Sequence, residues 1–173
     1  LPVSVHETAS PYRIGVDFAR FDDWTVALVL DGEDRVVAFS RVQQTTWDRI
    51  RTLIERLADR YEPNIVALDG TRDNKIVEDL ERAGYQVEPI RFSAQKKQTL
   101  IDNLITELET GRITIPSSAN TLVNELEMYE FEKTDTGQVS YSAPSGFHDD
   151  CVDALALAVS ASSPAPKTIP GSF

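Results

Sequence analysis

The sequence predicts an α/β fold. It comprises one mixed sheet, a three-stranded antiparallel meander extended by parallel strands, with helices on both faces. Three observations carry this reading. Residues 12–42 hold three β-rich runs separated by short charged breaks. After them, apolar runs of strand length alternate with amphipathic segments of helical period. The 173 residues, 41% of them apolar and 26% charged, suffice for one domain with a proper core.

Each element has its own signal. "YRIGVDFAR" starts with alternating apolar residues and stops at the charge cluster "RFDD". "WTVALVLDGEDRVVAFSRV" gives two further strands joined at "DGED", where Asp31-Gly32 suits a hairpin turn. In "TTWDRIRTLIERLADRYEP", Trp47, Ile50, Leu53, Ile54, Leu57 and Ala58 recur at helical spacing. Thr45 or Thr46 can cap this helix, and Pro63 closes it. "NIVALDG" is a continuous apolar run, as in a strand buried on both faces. "NKIVEDLERAGY" is a second helix stopped by Gly84, "QVEPIRF" a strand, and "AQKKQTLIDNLITELETGR" a third helix ending at Gly111. "ITIP" is short and extended, "SANTLVNELEMYEFEK" opens as another helix, and the chain then forms a hairpin about Thr136-Gly137. "HDDCVDALALAVSA" is the last helix. Residues 1–11 predict a linker, 12–161 the folded domain, and the Pro/Ser-rich stretch 162–173 a disordered tail. No internal repeat is present.

Composition narrows the function. No run of ~18 apolar residues predicts a membrane span, and the short polar start is no signal peptide. The missing first Met suggests a piece of a longer chain. A single cysteine, Cys151, excludes an internal disulfide and a multi-cysteine zinc site, and points to a cytoplasmic setting. The two histidines, His6 and His148, leave little for a His-rich site. A net charge of −11 argues against a protein that wraps DNA by charge alone, while leaving room for acids that hold metal ions.

The acids fall at telling places. Asp17 lies within or at the end of the first strand, beside Val16, where a carboxylate is out of place unless something binds it. Asp69 ends "NIVALD"; if that strand runs parallel to the first, the two carboxylates meet at one sheet edge. Asp150 and Asp153, spaced i, i+3, share a face of the last helix. Each has a plainer role available: a turn residue for Asp69, helix capping for Asp149 and Asp150, a solvent-facing first-turn charge for Asp153. Only the combination is specific. Several carboxylates converging at low dielectric repel one another or take up protons, and a divalent cation resolves the conflict. Oxygen-only ligation selects Mg²⁺ or Mn²⁺ over zinc. Two such ions about 3.5–4 Å apart suit in-line displacement at phosphorus, which implies phosphodiester hydrolysis.

"IGVDFA", "ALDG" and "HDDCVDALALA" resemble the nuclease domain of phage large terminase subunits, which has the RNase H-like fold related to RuvC-type resolvases. "YQVEPIRFSAQKKQTLIDNLITELETGRITIP", "LVNELEMYEF" and "GQVSYSAPSGFHDD" are similar to that family too, so the resemblance covers about residues 12–161. It implies a metal-dependent endonuclease that cuts concatemeric double-stranded viral DNA at the start and end of packaging. Asp17, Asp69 and Asp150 would form the metal-binding triad, with Asp153 as accessory ligand; either of Asp149 and Asp150 is placed to face the metal. His148 would orient a ligand or phosphate, or sit in a loop. The implied partners are a packaging ATPase domain, the portal and the small terminase subunit. The implied location is the cytoplasm of the infected host, transiently at the procapsid portal. No GxxxxGK[ST] loop is present, so this chain does not power translocation.

Phosphate contacts are expected from Arg20, Arg72, Lys96 and Lys97, with weak intrinsic DNA binding. Lys97 serves equally well as a solvated helix start. Three rivals stand beside this reading. An actin-type ATPase or sugar kinase would need glycine in the turn "DFARFDDWT" and about twice the length. A resolvase or transposase of the same fold shares the Asp-x-x-Asp helix. A non-catalytic docking domain for the portal or procapsid would bind no Mn²⁺ through Asp17 and Asp69.

Overall fold

In the computed structural model the described residues are 11–18, 24–43, 46–71, 74–133, 139–142 and 148–161. The meander is β1 (Arg13–Asp17), β2 (Trp24–Leu30) and β3 (Val36–Gln43). Then follow α1 (Trp47–Tyr61), β4 (Ile65–Asp69), α2 (Asn74–Arg82), β5 (Val87–Ile90), α3 (Ala94–Glu109) and α4 (Asn120–Met128). A second antiparallel pair, β6 (Glu130–Lys133) and β7 (Val139–Ser142), precedes α5 (Asp150–Ser160). The five-stranded sheet has the order β3-β2-β1-β4-β5. Strand β1 is antiparallel to β2 and parallel to β4, and β4 is parallel to β5. The mixed sheet expected from the sequence is therefore the one observed.

Strand periodicity sorts the core into two layers. Val26, Leu28 and Leu30 of β2 point to one face, where they pack with Leu100, Ile101 and Leu104 of α3, Leu122 of α4 and the length of α5. Ala27 and Val29 point to the other, with Ile14 and Val16 of β1, Ile50 and Ile54 of α1, and Leu80 of α2. Helix α5 is buried from Asp150 to Ala158, so it is a central element rather than a surface one. It can lie this close because β1 carries Gly15. A Cβ there would stand 2.1 Å from the Ala154 carbonyl oxygen and 2.8 Å from the Ala158 Cβ.

Local chemistry explains the boundaries. Thr46 caps α1, its hydroxyl accepting from Arg49 N at 3.4 Å. The helix ends at Glu62 in the left-handed region, with φ 46, a position that composition does not reveal. Gly84 and Gly111, with φ of 97 and 69, end α2 and α3 as their sequence positions suggested. Two expectations change. The β2–β3 connection is not a two-residue turn at Asp31-Gly32 but a longer loop closed by Asp31 N to Arg35 O. The Asp31 carboxylate organises it by accepting from Glu33 N and Arg35 N, both at 2.9 Å, while Asp34 takes the left-handed conformation. "ITIP" supplies only one bridge, Arg35 to Thr114, instead of a strand. The hairpin turn about Thr136-Gly137, the linker up to residue 10 and the tail from 162 lie outside the described residues. Among the described residues no helix is long and apolar enough to cross a membrane.

Candidate metal centre

Parallel pairing of β1 and β4 places Val16 opposite Leu68, so the next residues, Asp17 and Asp69, end neighbouring strands at one edge. Helix α5 crosses the same edge. Its stripe Asp150, Ala154, Ala158 runs along β1, and the Gly15 contact with Ala154 and Ala158 brings Asp150 toward Asp17. The result is a cavity of about 400 Å³ lined by Asp17, Asp69, Asp149, Asp150 and Asp153, with Lys97, Ser93 and Ala94 of the α3 start and the rings of Phe18 and Phe92. Four of these acids are almost wholly buried: Asp17 is 7% exposed, and Asp69, Asp150 and Asp153 are each 6%.

Several contacts hold them. Asp69 Oδ1 accepts from Thr71 N at 2.9 Å and from the Thr71 hydroxyl. That hydroxyl oxygen in turn accepts from Phe92 N at 3.0 Å, tying Asp69 to the end of β5. Asp150 Oδ2 accepts from Trp24 N at 3.3 Å and lies 3.7 Å from His148 Nδ1. Lys97 Nζ donates to Asp149 at 2.8 Å and to Asp153 at 2.7 Å. Asp153 Oδ1 is buried, and among the described residues it has no hydrogen-bond partner.

The electrostatics follow. Burial pushes the Asp17 carboxyl well above its ordinary range, and Asp153, Asp150 and Asp69 add to the rise against the pull of Lys97. Burial likewise raises Asp153 to about 7, although Lys97 opposes it. Desolvation disfavours the Lys97 ammonium, yet Asp153, Tyr129 and Asp149 outweigh it and hold the group protonated above its usual value. Burial, reinforced by Glu125, pushes the Cys151 thiol far up, so it is a small core residue rather than a nucleophile.

Do these residues fit a divalent cation? The donors are all carboxylate oxygens, two of the carboxyls resist ionisation where they stand, and one buried acceptor has no donor. That is the chemistry of a hard-cation site. Among the described residues no three candidate ligands already stand close enough to share an ion. The fit lies in donor type and burial.

Of the sequence-derived candidates, the structure gathers Asp17, Asp69, Asp149, Asp150, Asp153 and Lys97 on one cavity. Lys96 is exposed on the first turn of α3 and is not among the lining residues. Arg20 and Arg72 lie outside the described residues. Asp149, weighed as a helix cap, makes no capping bond. Three contributors had escaped notice: Thr71, Trp24 and Glu125. Thr71 was signalled by its place two residues after Asp69, and Glu125 by its place on the apolar face of α4 beside Leu122.

Two measurements check these charges. Between the unfolded value of 3.8 and the folded value of about 7, folded Asp153 keeps a proton that the unfolded chain has released. Stability contributed by that proton is therefore lost as pH rises through this window. In EDTA, the melting temperature of the wild type is expected to fall relative to Asp153→Asn between about pH 4 and 7; parallel curves would refute it. Lys97→Gln is expected to lower the metal-free melting temperature at pH 8 and to enlarge the rise on adding Mg²⁺, because Asp149 and Asp153 lose their counter-charge. An unchanged response to Mg²⁺ would contradict this.

The sheet order, the acids at adjoining strand ends and the central acidic helix define the RNase H-like class. Comparison with known proteins refines it. The family model for the terminase RNaseH-like domain matches residues 14–162. The large terminase subunit of Thermus virus P23-45 is 33% identical over 154 residues, 86% of this chain and 31% of that protein. The crystal structure of the large terminase nuclease from phage G20c superposes with a TM-score of 0.77 at 30% identity, covering 85% of this chain and 80% of the other. That nuclease has also been solved with bound magnesium, cobalt and zinc. The chain belongs to the terminase RNaseH-like domain family. It spans about a third of the length of the curated relatives it matches.

Proposed function

We propose that this domain is a metal-dependent endonuclease that hydrolyses phosphodiester bonds of concatemeric double-stranded DNA, starting and ending viral genome packaging. One observation carries the reading: carboxylates from β1, β4 and α5 converge, almost fully buried, on one cavity that also holds a lysine. The magnesium-bound nuclease of phage G20c supports it.

Asp17, Asp69 and Asp150 are the proposed ligands, with Asp153 as accessory and Asp149 on the rim. Two divalent ions, Mg²⁺ or Mn²⁺, would supply an activated water and stabilise the leaving oxygen. The chain's own groups do the rest. Thr71 fixes the orientation of Asp69, and Trp24 N fixes that of Asp150. Phe18 and Phe92 wall the cavity with apolar surface, which strengthens every charge interaction inside it. Lys97, already pairing Asp149 and Asp153, offers a cation to an incoming phosphate. Lys96, Arg20 and Arg72 are proposed to contact the DNA backbone. The net charge of −11 predicts weak intrinsic affinity. A packaging ATPase domain, the portal and the small terminase subunit are the proposed partners, in the cytoplasm of the infected host and transiently at the procapsid portal.

The test is plasmid cleavage. Supercoiled plasmid incubated with the domain is expected to become nicked and linear in Mn²⁺ or Mg²⁺, and to stay intact in EDTA. Metal-independent cutting would overturn the metal assignment. Titration calorimetry showing no Mn²⁺ binding would favour the docking-domain alternative.

A further inference from the structure

Helix α5 starts at the candidate centre without a side-chain cap of its own. The first N–H groups of a buried helix need acceptors, and one is supplied from another element. Glu125 of α4, 9% exposed, accepts from Cys151 N through Oε2 at 2.8 Å. Its other oxygen stands 3.4 Å from Arg41 Nη2, an ion pair without hydrogen-bond alignment. Arg41 lies over the Trp24 ring, 4.0 Å from its centroid. Trp24 N donates to Asp150 Oδ2. The contacts close a circuit from Asp150 through Cys151, Glu125, Arg41 and Trp24 back to Asp150. The sheet register fixes one side of it: Val26 pairs with Asp17 on one strand and Arg41 on the other, so Arg41 shares a rung with Asp17.

We propose that Glu125, held by Arg41, is a positioning residue for the metal centre: it anchors the first turn of α5 so that the Asp150 carboxylate meets Trp24 N on one side and the cavity on the other. This rests on the reading of Asp150 as a ligand. Neither Glu125 nor Arg41 lines the cavity, so both act through Asp150. A buried carboxylate at this helix start also meets the positive end of the helix dipole, which strengthens the anchor.

Two readouts test it, one without metal. In ¹H–¹⁵N spectra recorded in EDTA, Asp150→Asn identifies the shift of the Trp24 amide when its acceptor changes. Glu125→Ala is expected to move that amide in the same direction and to weaken Mn²⁺ binding in calorimetry roughly tenfold, as loss of a ligand's supporting hydrogen bonds does elsewhere. Glu125→Gln keeps an oxygen for Cys151 N and is expected to restore both readouts. A general loss of packing would not be rescued by this swap alone. A Trp24 amide and Mn²⁺ affinity both at wild-type values in Glu125→Ala would overturn the proposal. If circular dichroism shows that Glu125→Ala does not fold, Arg41→Gln decides: it is expected to shift both readouts, and wild-type behaviour overturns the proposal. If the wild type binds no Mn²⁺ while the Trp24 amide still responds, the metal reading falls and the brace stands.

Discussion

Asp17→Asn is expected to make the domain more stable and a far slower nuclease. In EDTA at neutral pH the variant should melt above the wild type, gain nothing from added Mg²⁺, and cut plasmid about a thousandfold more slowly. The signs follow from burial. A carboxyl whose folded pKa lies above its unfolded value loses stability as pH rises between the two, because the folded state must keep a proton or carry an ill-solvated charge. Asparagine has neither cost. The rate loss follows from the proposed ligand role: metal stabilisation of developing charge is worth several kcal/mol, and about 1.36 kcal/mol is a factor of ten. The metal-dependent part of stability vanishes too, since binding to the folded state alone is what raises the melting temperature. Wild-type cutting by this variant would remove Asp17 from the mechanism. A lower metal-free melting temperature would contradict the burial argument.

Gly15→Ala is expected to cause the largest loss of stability of any single methyl added to the sheet. The new Cβ would meet backbone, the Ala154 oxygen at 2.1 Å and the Ala158 nitrogen at 2.7 Å. Neither can rotate away, so α5 must lift from β1. Overpacking of this kind costs about 3 kcal/mol, or roughly 6–12 °C of melting temperature at this chain length. Ala158→Gly relieves only the 2.8 Å contact with the Ala158 Cβ, so it is expected to rescue little. Because Asp150 rides on the same helix, Mn²⁺ affinity should fall as well. A melting curve at the wild-type position would show that the helix has slack.

What could be read in advance was what depends on periodicity and on ends. Asp17 and Asp69 terminate apolar strands, and once those strands are parallel neighbours their meeting is geometry. Asp150 and Asp153 share a helix face by spacing alone. The hidden parts depend on contacts between distant segments. Lys97 reads from the sequence as a phosphate contact or a solvated helix start, yet it reaches across to acids 52 and 56 positions away. Glu125 sat in an ordinary amphipathic helix, and only the docking of α4 against α5 shows which backbone group it serves. The Asp31 loop escaped the turn rule because a carboxylate taking several hydrogen bonds can organise a longer connection.

The Lys97 bridge has a consequence for the order of events in the molecule's life. Many small metalloproteins cannot fold until their ion arrives, because the ligand set is intolerable without it. Here part of the positive charge is covalently attached and took its place when α3 docked on α5. It cannot diffuse away, and no shortage of magnesium depletes it. On the reading proposed above, folding then needs no ion, and metal is required for the cutting step alone.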